Sequence, residues 1–229
     1  MAANKGTCEF CERSLSCSAM TNHLKGCKLR LKAIDNLDHK PLPEILHVVV
    51  SGRYMPEYFL HLEVQLGALL SELDDYLRDI WLECCGHLSC FTIGGVSYES
   101  QPAEDPVFDT GARTMEVLIG RVLRPGVTCD YEYDYGSTTH LKLRVVDRRE
   151  GAFPEKPVGL IAQNDPLSFD CATCGNVAEL VCPMCMWKEN PFYCENCADN
   201  HADEDGDYFL LPIVNSPRTG VCGYTGELV

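Results

Sequence analysis

The chain has 229 residues, of which 45% are hydrophobic and 23% charged, with fifteen cysteines and a formal charge of −15 at neutral pH. That length suits one ordinary core with small satellites, and no apolar run reaches the roughly 18 residues of a membrane span. The acidic balance repels a phosphate backbone over most of the chain, and an odd number of cysteines fits a disulfide framework poorly.

The opening residues, MAANKGTCEF, lack the apolar core of a secretion signal. The expected setting is therefore intracellular, in the cytoplasm, where paired cysteines bind metal more often than they cross-link. Residues 1–32 read as a small finger with the spacing Cys8-x2-Cys11-x11-His23-x3-Cys27. A two-residue gap lets both thiolates of one turn face a single ion, and His23 and Cys27 share a helix face. Leu15 and Met20 stand where such fingers place their apolar packing residues, and Ser18 is the expected helix N-cap.

This finger carries Lys5, Arg13, Lys25, Lys28, Arg30 and Lys32 against Glu9 and Glu12, so it alone is electrostatically suited to nucleic acid. Lys25, Lys28, Arg30 and Lys32 are the candidate phosphate contacts. The base-facing positions would be Ser16, Ala19 and Asn22, none of which offers the bidentate arginine that usually reads guanine. A structural or protein-binding role is the leading expectation for the finger, with weak nucleic-acid contact as the alternative.

Residues 33–42 form a linker, and 43–150 have the mixed periodicities of an α+β domain. Ile45 to Val50 reads as a buried strand. Leu66, Leu69, Leu70, Leu73, Tyr76, Leu77, Ile80 and Trp81 recur at three- and four-residue steps and predict an amphipathic helix. His87 to Ile93 and Thr114 to Leu123 are the next strand candidates. Cys129, Tyr131, Tyr133 and Tyr135 then alternate with Asp130, Glu132 and Asp134, turn at Gly136-Ser137, and return through Leu141, Leu143 and Val145 with His140, Lys142 and Arg144 between them. That pattern predicts an antiparallel hairpin whose polar faces are acidic against basic.

The stretches Ile80 to Tyr98 (IWLECCGHLSCFTIGGVSY) and Tyr131 to Leu143 (YEYDYGSTTHLKL) resemble the plasmid pRiA4b ORF-3-like family, also called transposon-passenger TnpR-like proteins. The resemblance spans about residues 43–150 and implies an α+β domain with helices packed on a sheet. It implies no mechanism. Members commonly carry a second histidine two residues after the first, where this chain has Ser89 after His87 and so departs from the pattern. The ending SPRTGVCGYTG (Ser216 to Gly226) looks like that of larger, zinc-equipped relatives.

A linker at 151–168 leads to the densest cysteine run, Cys171-x2-Cys174-x7-Cys182-x2-Cys185-x8-Cys194-x2-Cys197-x3-His201. Residues 169–203 are similar to a B-box, in which alternate pairs share an ion. Cys171, Cys174, Cys194 and Cys197 would then hold one zinc, while Cys182, Cys185 and His201 hold another. The eighth ligand is open between Cys222, in the tail of 204–229, and the nearer Asp203 or Asp205, with soft sulfur preferred. Pairing of sequential Cys-x2-Cys turns is the competing arrangement.

Three structural zinc ions follow from these clusters, replacing a core that segments of this size cannot build. Cys17, Cys84, Cys85, Cys90 and Cys129 are expected to be buried small hydrophobes. The sequence shows no P-loop, dinucleotide fingerprint, nucleophile elbow or HExxH. The expectation is a non-catalytic adaptor with protein partners and no membrane. The alternatives are a nucleic-acid-associated accessory factor of a mobile element, and an enzyme with a pocket near His87.

Overall fold

In the computed structural model, which describes residues 4–35, 43–103, 110–151, 156–186, 188–201 and 209–227, the finger sequence makes a hairpin and a helix. β1 (Lys5–Cys8) turns into β2 (Ser14–Ser16), and α1 (Cys17–Gly26) and α2 (Lys28–Asp35) follow. The turn is closed by Glu12 N–H donating to the Cys8 carbonyl at 2.9 Å and Cys8 N–H donating to the Arg13 carbonyl at 3.1 Å, with Glu12 in the left-handed region at φ 58°. Ser16, not Ser18, is the N-cap. Its extended backbone (φ −64°, ψ 157°) lets β2 run directly into the helix.

The remaining strands of this unit are β3 (Glu44–Gly52), β4 (Phe59–Gln65), β5 (Ser89–Ile93), β6 (Val96–Glu99), β7 (Arg113–Thr114), β8 (Thr128–Tyr133), β9 (Thr139–Glu150) and β10 (Val158–Asn164). They form one sheet in the order β2-β1-β10-β4-β3-β9-β8-β5-β6-β7, antiparallel except at β6–β7. With helices against a largely antiparallel sheet, the fold is α+β.

The finger is not a separate bead. β10 lies inside the expected 151–168 linker, and it pairs with β4 on one edge and β1 on the other. The physical reason is edge satisfaction: the backbone groups of β4 need a partner, and β10 in turn needs one. Cys8, Met20, Leu24 and Cys27 of the finger share a core cluster with Ile161 and Ala162 of β10, against which Leu15 packs.

α3 covers only Leu70–Leu77, shorter than the apolar repeat from Leu66 suggests. Leu69 is its extended N-cap, whose N–H donates to the Glu72 carboxylate at 2.7 Å. After Leu77 the coil widens into a single π turn, Arg78–Leu82. Of the Thr114–Leu123 segment only Thr114 joins the sheet, as the last residue of β7; a loop and the short α4 (Ile119–Val122) follow. Its backbone bonds go instead to the segment that starts α3: Leu70 and Ser71 donate to Val117 and Met115, while Ile119 and Gly120 donate to Ala68 and Leu66.

The β8–β9 hairpin sets acidic residues against basic ones as expected, but β8 ends at Tyr133. Asp134 turns into the left-handed region at φ 64° and is buried, while Tyr135 is exposed, the reverse of the expected alternation. Asp130 faces Lys142, and Glu132 faces His140, whose Nδ1 is 3.3 Å from the Glu132 carboxylate. On the other face Cys129, Tyr131 and Tyr133 are buried. Tyr131 donates its hydroxyl to Asp74 at 2.6 Å, Ser89 donates to the same oxygen at 2.7 Å, and Arg78 Nε donates to the other oxygen at 2.7 Å. The Arg78 guanidinium also lies over the Tyr133 ring at 4.9 Å. Asp74 thus pins α3 to β5 and β8 through a buried network with both carboxylate oxygens satisfied.

A second unit comprises Asp79–His87 and Pro166–Val229, the first being Met1–Arg78 with Leu88–Asp165. It holds β11 (Leu180–Val181), β12 (Phe192–Tyr193), α5 (Glu195–Ala198) and β13 (Leu211–Pro212), with strand order β12-β11-β13. Phe169 stacks on Phe192 at 3.9 Å between ring centroids. The segment after β13 is well buried, with Ser216, Arg218, Thr219 and Tyr224 all under 5% exposed. It belongs to the packed body of this unit rather than to a tail.

Candidate metal centres

All fifteen cysteines are free thiols. Among the described residues, four groups of cysteine and histidine bring their ligand atoms within 4.8 Å of one another, close enough to hold a metal ion. The first is Cys8, Cys11, His23 and Cys27. The β1–β2 turn supplies the first two, and α1 supplies His23, whose Nε2 lies 3.2 Å from Cys11 Sγ. Burial, and then the charge of Arg13, lowers the His23 pKa and favours the neutral imidazole that ligates. Burial pushes Cys8 up to about 11. At Cys27 burial acts in the same direction, but hydrogen bonds from the Arg30 backbone, the Cys11 and Cys8 thiols and the Leu29 backbone outweigh it and lower the pKa.

In the second unit alternate pairs converge. Cys171 and Cys174 meet Cys194 and Cys197, with Cys174 Sγ 3.6 Å from Cys194 Sγ. Each Cys-x2-Cys is a tight turn: Gly175 N–H donates to the Cys171 carbonyl, Cys185 N–H to Cys182, and Cys197 N–H to Cys194, each at 3.0 Å. β11 runs into Cys182 and β12 into Cys194, so the three-stranded sheet sets which turns meet. The thiols divide their protons unequally. A backbone hydrogen bond at Cys194, followed by those of Cys174 and Thr173 against the effect of burial, lowers Cys171 to about 6. Hydrogen bonds from the Cys174 and Cys194 thiols raise Cys197 to about 12.

The third group is Cys182, Cys185 and His201, with His201 Nε2 3.4 Å from Cys185 Sγ. The His201 ring stacks on Tyr193 at 4.1 Å, which fixes its orientation. Cys222, the sulfur expected to complete this site, is elsewhere. Asp203 and Asp205, the other two candidates, lie outside the described residues.

Cys222 belongs to a fourth group with Cys84, Cys85 and His87, its Sγ 3.3 Å from His87 Nε2. This corrects the reading of Cys84 and Cys85 as buried hydrophobes: Cys84 is half-buried and Cys85 exposed. The thiol of Cys85 is pushed up to about 11, first by its hydrogen bond to Cys84 and then by that neighbour's charge, with burial and Cys222 adding to it. Short-range spacing hid this set, because Cys222 is separated from His87 by 135 residues. The legible signal was the density of ligands in Cys84-Cys85-x-His87 itself. Cys90 and Cys129 are buried as expected, whereas Cys17 is only half-buried, and burial raises the pKa of each of the three.

The basic face of the finger is smaller than its sequence suggests. Arg30 is buried, donating to the Leu24 carbonyl at 2.7 Å and pairing with Glu63, so it cannot reach a phosphate. Lys25 forms an exposed pair with Asp147 at 3.4 Å, and Lys28 and Lys32 are exposed. Among the described residues no helix is long and apolar enough to cross a membrane.

No family model matches the chain, and no curated protein matches it. Among solved structures, a crystal structure of a protein of unknown function from Methanosarcina mazei Go1 is similar at 13% identity, covering 53% of this chain and 70% of that one, with a TM-score of 0.39.

Proposed function

We propose that this chain is a multi-zinc, non-catalytic interaction protein in which three clusters of cysteine and histidine hold structural zinc. The observation that carries this is the convergence of Cys8, Cys11, His23 and Cys27, of Cys171, Cys174, Cys194 and Cys197, and of Cys182, Cys185 and His201. A tetrahedral zinc with bonds of about 2.3 Å to sulfur and 2.0–2.1 Å to nitrogen spaces S···S by about 3.8 Å and S···N by about 3.5 Å. The separations of 3.6 Å at Cys174–Cys194, 3.2 Å at Cys11–His23 and 3.4 Å at Cys185–His201 lie close to these values. At the first two sites four soft donors leave no position for a reactive water, which favours a structural role there. For the third site Asp203 or Asp205 is the remaining sequence candidate for the fourth ligand.

Protein is the favoured partner class. Val177, Met184, Met186 and Phe209 expose large apolar side chains on the second unit, and the chain's charge of −15 opposes nucleic acid. Burial of Arg30 weakens the nucleic-acid alternative further. Residues 43–150 are read as a pRiA4b ORF-3-like domain.

Two measurements test the proposal. Elemental analysis of chain purified without chelator should give at least three zinc ions, and Cys27→Ser, Cys194→Ser and Cys182→Ser should each remove one. One ion or none in the parent chain would sink the zinc reading. A cross-linked pull-down should then recover protein partners that survive nuclease and are lost from the Cys194→Ser chain. Capture that nuclease abolishes would transfer the reading to nucleic acid.

A further inference from the structure

The fourth cluster was anticipated by none of the spacing arguments, and it lies wholly within the second unit. We propose that Cys84, Cys85, His87 and Cys222 form a fourth closed site for a zinc-class divalent ion, and that this ion fastens the Ser216–Tyr224 segment to residues 81–87. The assignment rests on the zinc reading above but concerns residues outside its three sites.

The donor set is complete. Three thiolates and one imidazole fill a tetrahedron, and the 3.3 Å between His87 Nε2 and Cys222 Sγ is near the S···N edge of about 3.5 Å that such an ion imposes. Cys84 and Cys85 lie in the bend just after the π turn, which ends at Leu82, so two sulfurs arrive on adjacent residues and need only one distant partner and His87 to close.

The backbone at Cys222 points the same way. Its φ is 51°, in the left-handed region, between Gly220 at 76° and Gly223 at 72°. A residue with a Cβ is disfavoured there and glycine is at ease, so the thiol is kept at a conformational cost. Ligation supplies the reason, because the turn aims the sulfur at His87.

Charge balance supplies the third argument. Three thiolates around one divalent ion leave a net negative charge, whereas three protonated thiols leave none. Arg218 is fully buried and cannot lose its proton, and its Nη2 lies 3.4 Å from Cys84 Sγ. A guanidinium donating to a metal-bound sulfur both neutralises the cluster and orients the ligand from outside the coordination sphere. Around it the segment is already anchored: Ser216 donates its hydroxyl to the Trp81 carbonyl at 2.6 Å, with Trp81 and Tyr224 buried.

The experiment is elemental analysis of the full chain beside Cys222→Ser and His87→Phe, with thermal unfolding followed in parallel. The four groups predict four ions in the parent and three in each variant, with the unfolding of the first unit retained. Equal metal content in parent and both variants overturns the fourth site and leaves the other three standing. A parent without metal overturns both readings. Since a ligand variant could lose metal through misfolding, Arg218→Met provides a check that leaves all four donors in place. It should keep four ions but release one to a chelator at least tenfold faster than the parent. Release at the parent's rate, or a native Cys84–Cys85 disulfide found by differential alkylation and mass spectrometry, overturns the proposal.

Discussion

His47 Nε2 lies 2.9 Å from His61 Nδ1, with both rings buried inside the sheet. The two are diagonal neighbours on β3 and β4, since His47 stands opposite Glu63 and His61 opposite Val49. Phe59 meets the His61 ring edge-on at 5.8 Å, and Cys17 Sγ lies 3.8 Å from its other nitrogen. Burial is the main reason that both pKa values fall to about 3. Arg30 is the next contributor at His47, as the His47 charge is at His61.

That pair makes stability depend on pH in a defined direction. In the unfolded chain each histidine takes up a proton near pH 6.5, while the folded protein resists it down to about 3. The contribution is therefore complete above pH 6.5 and is lost as pH falls from there toward 3. Between pH 7 and 5 the expected loss is about 2 kcal/mol for each histidine. Urea titrations at the two pH values, compared with a His47→Leu/His61→Leu chain, measure it. The double variant should be distinctly less sensitive to pH over this range, and parallel profiles would show that the pair titrates normally.

Glu63 is the second buried point of leverage. Its side chain is 1% exposed, and it pairs with Arg30 and with Arg149, whose Nε donates at 2.8 Å. These contacts tie α2 and β9 to β4. Glu63→Gln removes the only charge that this pairing supplies to two guanidinium groups, and a loss of about 3–5 kcal/mol is expected. The urea midpoint should fall accordingly, with part of the loss recovered in Glu63→Gln/Arg30→Met. A midpoint within experimental error of the parent would mean that the arginines are compensated by other groups.

Gly6 sets how closely the finger docks on the sheet. A Cβ at this position would lie 2.4 Å from the Gln163 carbonyl oxygen, 2.7 Å from Phe59 Cζ and 2.8 Å from Asn164 Cα. Two of these atoms are backbone, so β1 must move away from β10. Gly6→Ala should cost about 1–3 kcal/mol and speed amide exchange along Val158–Asn164. Unchanged exchange there would show that β1 contributes little to that edge.

Four strands of the sheet, β3, β5, β8 and β9, were legible because local periodicity carried them. The alternation from Cys129 to Tyr133, and its return through Val145, described a hairpin in which Asp130 faces Lys142, whereas the left-handed backbone at Asp134 reversed the expected faces of Asp134 and Tyr135. Thr114 to Leu123 was misread because an apolar run does not say whether its backbone will pair in a sheet or with a helix start, and here Leu66 to Ser71 took those bonds. β10 was passed over as linker because its role is set by two partner edges far away in sequence.

The same division runs through the candidate metal-binding groups. Which turns present two thiols side by side is a property of a few bonded residues, so Cys8-x2-Cys11 and the three later Cys-x2-Cys turns could be read from spacing alone. Which turns meet was decided by pairing among β11, β12 and β13. That Cys222 joins Cys84, Cys85 and His87, and not Cys182 and Cys185, was decided by the packing of Ser216, Arg218 and Tyr224 in the second unit. Closure over such a separation depends on what the intervening chain buries, and no local pattern encodes it.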